Sequence, residues 1–366
     1  MSKNKMSLLL YNLLGKKPKG FGLEIEDRSL KAFMIEKKRK GKCRVLSCGM
    51  KNLKKGIMQD GQVFDTEALA SEIKELLKST KPYPIKNKLV VFSVPENKAF
   101  IRTISIPKMR KEEADEAVKW ETEANIPIAV ERVYLDWQII QERGENNEIL
   151  VTAVPKEIID KYSEVMKLAG LDILAVEVDI IATVRSLTEE KDSSSSGRPV
   201  VIADVGEGVT SLAIAKNQVP YFTSSLPVGG VTFTDALQKG LGVSYEKAEE
   251  LKLKYGLGKM REDDILYKIY NPIIENLVTG IEKSIRFYEG SINTKEKVEK
   301  LILSGGGSLL HDIVDYLAIR MKKEVITGDT VQSLDLPGNF SEETKKSLIP
   351  FATAIGLAER AINCDD

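Results

Sequence analysis

The stretch VVIADVGEGVTSLAIAKNQ, residues 200–218, is an apolar run, a turn and a second apolar run. It reads as a β-hairpin whose first strand ends on Asp204 and whose turn carries Gly206, Gly208 and Thr210. Such a turn sets a carboxylate beside backbone N–H groups that no side chain covers, an arrangement that suits phosphate and a hydrated cation. A second copy, GLEIEDRSLKAFMIE, lies at residues 22–36. There Glu24 replaces the Asp and Glu26 stands where the glycine belongs. Two such hairpins in one chain argue for an α/β fold built twice, with the copies unequal in chemistry.

With 366 residues the chain has room for more than one domain core. Its 54 basic and 54 acidic residues cancel, so no global attraction to nucleic acid is expected. A single histidine, His311, excludes a histidine triad or a multi-histidine metal site. Cys43, Cys48 and Cys364 have no metal or disulfide spacing, as in a reduced cytoplasmic protein. No apolar run approaches the ~20 residues that a membrane helix needs. Residues 1–19 set Met6, Leu8, Leu9, Leu10, Leu13 and Leu14 between lysines, which reads either as an interfacial helix or as a packed terminal segment.

Residues 21–78 read as three strands and a helix capped by Asp65, and Lys37 to Lys42 form a basic, solvated turn. The two prolines of KPYPIKN then break the chain. From there, strand, strand, helix, strand, strand form an α+β module, with Trp120, Trp137 and Phe100 expected to pack it. We expect a first-lobe core at 20–82 and 150–192, the inserted module at 83–149, and a second-lobe core at 199–233 and 298–363. A subdomain at 234–297 completes the second lobe, and KDSSSSGRP, 191–199, is a linker. NPIIENLVTGIEKSIRFYEG is expected to start a helix with Asn271 as cap and Pro272 in its first turn.

Four further features carry chemistry. LILSGGGSLL places Gly305, Gly306, Gly307 and Ser308 between a strand and a helix, either as a ligand cradle or as a tight turn. Glu249 and Lys252 share one helix face, as a ribose grip or a surface ion pair. Glu177 and Asp179 end a strand, and either orient a water or close the strand. His311 follows the glycine turn, lining a site or facing solvent.

Hairpin, Glu-x-x-Lys helix and glycine turn occur in the order seen in actin-like ATPases. The chain more specifically resembles the PilM family of type IV pilus assembly. The likeness is carried by VVFSVPENKAFIRTISIPKMRKEEADEAVKWETEANIPI, AVPKEIIDKYSEVMKLAGLDILAVEVD, LPVGGVTFTDALQKGLGVSYEKAEELK and LILSGGGSLLHDIVDYL. The resemblance implies an actin-like (ribonuclease H-like) duplicated two-lobed fold with an inserted α+β subdomain in the first lobe. It implies ATP with Mg2+ between lobes: Lys31 from the first hairpin, Asp204 (through water to the metal), Gly206, Gly208 and Thr210 from the second. Glu249 and Lys252 would meet the nucleoside, and Gly305 to Ser308 the adenosine side. It further implies a cytoplasmic scaffold at the inner face of the membrane, among other pilus platform proteins, and possible self-assembly. The N-terminal tail of a PilN-like membrane protein would lie in the groove between the first-lobe core and the inserted module.

The first hairpin departs from the family's pattern. Glu24, Glu26 and Asp27 crowd the place where phosphates should sit, with Arg28 and Lys31 as partial compensation. ATP is therefore expected as a conformational ligand with weak or absent hydrolysis, and Glu177 and Asp179 are the only catalytic candidates. The alternatives are an active ATPase or sugar-kinase-like phosphotransferase, and an FtsA-like filament former. The latter is disfavoured because AERAINCDD stops directly after the core helix.

Overall fold

A computed structural model describes residues 20–37, 42–124, 126, 128–188, 197–258, 264–291, 296–331, 334–336 and 346–363. The N-terminal leucines, most of the serine linker and Cys364 lie outside the described residues. The chain divides into one unit of residues 1–186 and 330–366 and another of residues 187–329.

The first unit opens with β1 (Phe21–Ile25), β2 (Ser29–Lys37) and β3 (Cys43–Asn52), followed by the short pair β4 (Met58–Gln59) and β5 (Gln62–Val63). Helix α1 (Thr66–Ser79) starts where expected: the Asp65 carboxylate accepts from the Ala68 amide at 2.9 Å and satisfies an otherwise unpaired N–H. Next come β6 (Leu89–Val94), β7 (Phe100–Pro107), α2 (Lys111–Glu123), β8 (Val133–Arg143), β9 (Asn146–Pro155), α3 (Lys156–Ala169), β10 (Asp172–Val178) and α4 (Asp179–Leu187). A main sheet has the order β10-β6-β1-β2-β3-β16, where β16 is Leu334–Asp335.

Two boundaries differ from the sequence expectation. The first strand after the prolines, β6, belongs to the main sheet, pairing in parallel with β1 and β10. Its run LVVFSV lacks polar alternation because both faces are buried. The inserted module is therefore a three-stranded sheet, β7-β9-β8, with α2 laid on it through Ala114 and Val118. Trp137 and Phe100 pack in the module, but Trp120 is 72% exposed on α2. The terminal helix α9 (Ala352–Asn363), assigned from sequence to the second core, packs on the first sheet instead. Ala354, Ile355 and Ala358 bury against Phe33 and Ile35, and Leu357 and Ala361 against Val91. Gly22 permits this approach, since a Cβ there would meet the Ala354 carbonyl at 2.4 Å.

The second unit repeats the plan. β11 (Val200–Val205), β12 (Thr210–Lys216) and β13 (Val219–Leu226) form a meander, and β14 (Lys300–Ser304) and β15 (Glu324–Thr327) add in parallel beyond β11. The order β13-β12-β11-β14-β15 matches β3-β2-β1-β6-β10 strand for strand. Helices α5 (Gly230–Leu241), α6 (Tyr245–Tyr255), α7 (Ile265–Ser291) and α8 (Ile313–Met321) complete it. Helix α7 begins before Asn271, so Pro272 sits inside it. The sequence LYKIY already carries helical periodicity, and Tyr270, Ile274, Leu277 and Ile281 are buried in one core. Their burial outweighs the hydrogen bond that a proline forfeits. Asn271 accepts from the Tyr316 hydroxyl at 3.2 Å rather than capping.

Candidate functional site

In the second unit the hairpin turn and the glycine turn are brought together. Asp204 pairs with Ser304 across the β11–β14 ladder, and a Cβ on Gly305 would fall 2.8 Å from Asp204 Oδ1 and 2.5 Å from the Val205 carbonyl. Gly305 has φ +76°, and Gly307 is pressed against Val205, so both are glycine for reasons of backbone and packing. Gly208 and Gly306 are different: both are exposed, and a Cβ on either would meet nothing within 4 Å. No packing demand accounts for their lack of a side chain, and the surface there is bare backbone. Beside Asp204, Ser304 Oγ is buried without a hydrogen-bond partner among the described residues.

Other expected contacts are already committed within the protein. The Gly206 N–H closes the turn onto the Val209 carbonyl at 3.0 Å. Thr210 is fully buried and donates to the Val228 carbonyl at 2.6 Å, so it stitches the hairpin to the segment before α5. The Ser308 hydroxyl turns inward to the Gly305 carbonyl at 2.7 Å. His311 is exposed, and its carbonyl holds the Leu257 amide at the end of α6.

Glu249 and Lys252 are no isolated surface pair. Lys252 Nζ donates to Glu249 Oε2 at 2.8 Å, to Thr234 Oγ1 at 2.9 Å and to the Gly230 carbonyl at 3.1 Å, which uses its three hydrogens. Thr234 in turn donates to Glu249 Oε2 at 2.6 Å. The Gly230 and Val231 amides, at the start of α5, donate to the carbonyls of Gly206 and Glu207 in the hairpin turn. Glu249 also raises, together with burial, the hydroxyl of Tyr270 above its usual range, burial being the larger cause.

The first hairpin has the same backbone and a different filling. Glu26 N–H closes its turn on the Ser29 carbonyl at 2.9 Å, the counterpart of Gly206 to Val209. Glu24 pairs across the ladder with Lys31 as Asp204 pairs with Ser211. Lys31 Nζ lies 2.9 Å from Glu24 Oε1 and 2.5 Å from Glu26 Oε2, and Ser29 adds 2.6 Å to Glu26. Burial pushes the Glu26 carboxyl up, but the charge and hydrogen bond of Lys31 outweigh it and hold the group below its ordinary range. Burial alone would lower Lys31; the two glutamates raise it instead. Asp27 points away, accepting from the amides of Asp60 and Gly61.

Glu177 and Asp179 have structural partners. Arg185 grips Glu177 through two N–H groups at 2.5 and 2.7 Å, and Arg360 of α9 adds a third contact at 2.7 Å. Their charges hold the buried carboxyl ionised against the cost of desolvation. Asp179 accepts from the amides of Glu96 and Ile180 at the start of α4.

The Glu177 cluster lines a groove of about 360 Å³ between the inserted module and the core of the first unit. Tyr134, Leu150 and Val154 form one wall, and Val176, Val178 and Ile181 the other. Strand β8 is the edge of the module's sheet and β10 the edge of the main sheet, so backbone from two sheet edges flanks the groove. Neither the groove's width nor the Arg185–Glu177–Arg360 clamp was legible from local sequence, since its members are eight and 183 residues apart.

Among the described residues no helix is long and apolar enough to cross a membrane, and no group of acids, cysteines or histidine forms a metal cluster. The chain is similar to known proteins along most of its length. The cell division protein FtsA of Streptococcus pneumoniae is 27% identical over 341 residues, covering 87% of this chain and 68% of that protein. The solved PilM–PilN type IV pilus biogenesis complex matches with a TM-score of 0.81 at 26% identity, covering 94% of this chain and 98% of that one. MreB5 of Spiroplasma citri, solved bound to AMPPNP, shares the fold at a TM-score of 0.50 and 12% identity, covering 93% of this chain and 96% of that one. A family model described as type IV pilus assembly protein PilM matches residues 22–362. With an actin-like duplicated fold and that match, the chain belongs to the PilM family of type IV pilus assembly proteins.

Proposed function

We propose that this protein is a scaffold of the type IV pilus assembly platform at the inner face of the membrane. It holds the cytoplasmic tail of a PilN-like membrane protein in the groove between β8 and β10. The observation that carries this reading is the groove itself: apolar on both walls, with Thr152, Glu177, Arg185 and Arg360 also in its lining, and flanked by two sheet edges. An extended peptide can place alternate side chains in such a groove while its backbone meets strand edges. The solved relative named as a PilM–PilN complex supports the choice of partner.

Fluorescence anisotropy with a labelled PilN-like tail peptide tests it. The parent chain binds saturably, and Thr152→Trp, which fills the groove, weakens binding at least tenfold while leaving the circular dichroism unchanged. Equal binding by parent and variant overturns the groove assignment.

The same reading includes ATP as a ligand of the second unit rather than as fuel. The bare backbone at Gly208 and Gly306 and the unpartnered Ser304 hydroxyl beside Asp204 fit a phosphate chain with a hydrated divalent cation. Asp204 would hold the Mg2+ through water, Gly208 and Gly306 would admit the nucleotide, and Glu249 with the Gly305–Gly307 turn would border its nucleoside. Bound Mg2+ supplies neutralisation of phosphate charge. Lys31, bound by two carboxylates, has little left to offer an anion, which argues against efficient turnover.

In a melting experiment, ATP with magnesium at about 100 times Kd adds about 2.7 kcal/mol of stability. Asp204→Ala removes the rise in Tm; no rise in the parent overturns the nucleotide reading.

A further inference from the structure

The first unit gathers exposed lysines at one end of its main sheet. Strands β1, β3, β6 and β10 run in one direction and so begin at one end of the main sheet. At the opposite end, Glu24, Glu26, Asp27, Glu96 and Asp179 are mixed with Arg28, Lys31, Lys54, Lys55 and Lys98.

The starting end is basic. Lys42 precedes β3, Lys86 and Lys88 precede β6, and Lys78 and Lys167 stand in the last turns of α1 and α3. Lys81 is fixed to Cys48 of β3 by a reciprocal backbone pair. All six are exposed. The segments adjoin: Asp172 N–H donates to the Lys88 carbonyl at 2.7 Å, and Ile85 N–H to the Leu77 carbonyl at 2.9 Å. Nearby acids are bound elsewhere, Glu75 by Lys51, Glu164 by Lys161 and Glu36 by Arg44. Glu75, Glu164 and Asp172 are the exposed acids among them, and Asp335, opposite Arg44 on the β16–β3 ladder, and Glu359, near Cys43, are half-buried.

Two apolar side chains stand in this basic surface. Tyr83, between Pro82 and Pro84, is 73% exposed, and its own carbonyl accepts from the Ser47 and Thr80 hydroxyls, so the ring is presented on a tied-down turn. Leu168, beside Lys167, is 41% exposed. Lysines on flexible stems around a tyrosine and a leucine match the chemistry of a bilayer interface, where ammonium groups meet lipid phosphates and the ring sits at headgroup depth. The overall charge balance gives no general affinity for polyanions, so the attraction is local to this end.

We propose that this basic end of the first unit docks on a leaflet of anionic phospholipid. The proposal depends on neither the peptide groove nor the nucleotide site.

Sedimentation of the full chain with phosphatidylglycerol–phosphatidylcholine vesicles tests it. Binding is expected with the anionic lipid, falling with salt and absent with phosphatidylcholine alone. With about fivefold per lysine, reversing three charges in Lys42→Glu/Lys86→Glu/Lys88→Glu should weaken binding on the order of 100-fold or more. The same charge change at exposed Lys239, Lys247 and Lys254 in the second unit should leave binding within about twofold. Tyr83→Ala should weaken vesicle binding severalfold without changing retention on heparin, which separates a lipid surface from a nucleic-acid-like polyanion. Three results overturn the proposal: equal losses from both triple variants, equal losses of vesicle and heparin binding for Tyr83→Ala, or complete loss on deleting residues 1–19 alone.

Discussion

The two hairpins share a turn and differ in what fills it. Both close on the same backbone hydrogen bond, from Glu26 to Ser29 in one and from Gly206 to Val209 in the other. In the first, Glu24, Glu26, Lys31 and Ser29 fill the hairpin with an ion network of their own. In the second, Gly208 leaves the turn open and the neighbouring glycine turn leaves Gly306 open. The two turns thus differ by side chains alone, with the strand register and the turn hydrogen bond shared. On the function proposed above, the second copy is open to a ligand and the first is a structural ion network.

The comparison can be broken most forcefully at Lys31. Lys31→Met leaves two glutamates in the first hairpin without their cation, and the expected loss is about 3–5 kcal/mol in urea unfolding. The matching change in the second hairpin, Ser211→Ala, should move stability by less than about 0.5 kcal/mol. Equal losses would mean that the first hairpin is not held by its charges. Gly305→Ala comes next: it forces a side chain into the left-handed region and against the Val205 carbonyl, for about 1–3 kcal/mol. Gly208→Leu should leave the melting temperature of the free protein unchanged and remove its rise with ATP, because the residue's open space matters only to a ligand.

Acid sharpens the contrast by a smaller amount. The carboxyls of Glu26 and Glu177 are held below their ordinary range. A depressed folded-state value contributes stability that is present above the unfolded value of about 4.3 and is lost as pH falls below it. Lys31 is raised, so its contribution persists at neutral pH and is lost only in strong alkali. The drop in Tm between pH 5 and 3 should therefore shrink in Glu26→Gln. Smallest in stability but direct in function, Glu26→Gly should raise phosphate release above the parent's background, since Lys31 then answers to one carboxylate. An unchanged background would show that Glu26 does not set the rate of phosphate release.

Much of the fold was legible because it rests on short-range rules. Apolar runs bounded by glycine gave the two meanders, and Asp65 marked the start of α1. What was missed depends on distant partners. Nothing near β6 says that its neighbours are β1 and β10, and only its unbroken apolar run hinted at a strand buried on both faces. Asn271-Pro272 has the local chemistry of a helix start, yet the core around Tyr270 and Ile274 carries the helix through it. At the site, the residue types were readable, but their commitments were not. Thr210 and Ser308 carry hydroxyls suited to a ligand, and both spend them on carbonyls of their own unit.

The saturated ammonium of Lys252 has a mechanical consequence. It ties α6 to the first turn of α5, and that turn hangs by the Gly230 and Val231 amides from the carbonyls of Gly206 and Glu207. Hairpin turn, α5 and α6 are therefore geared together. A molecule that shifts the turn by a fraction of an ångström must either drag both helices along or break several charge-assisted bonds, so the outer face of α6 can register events it never touches.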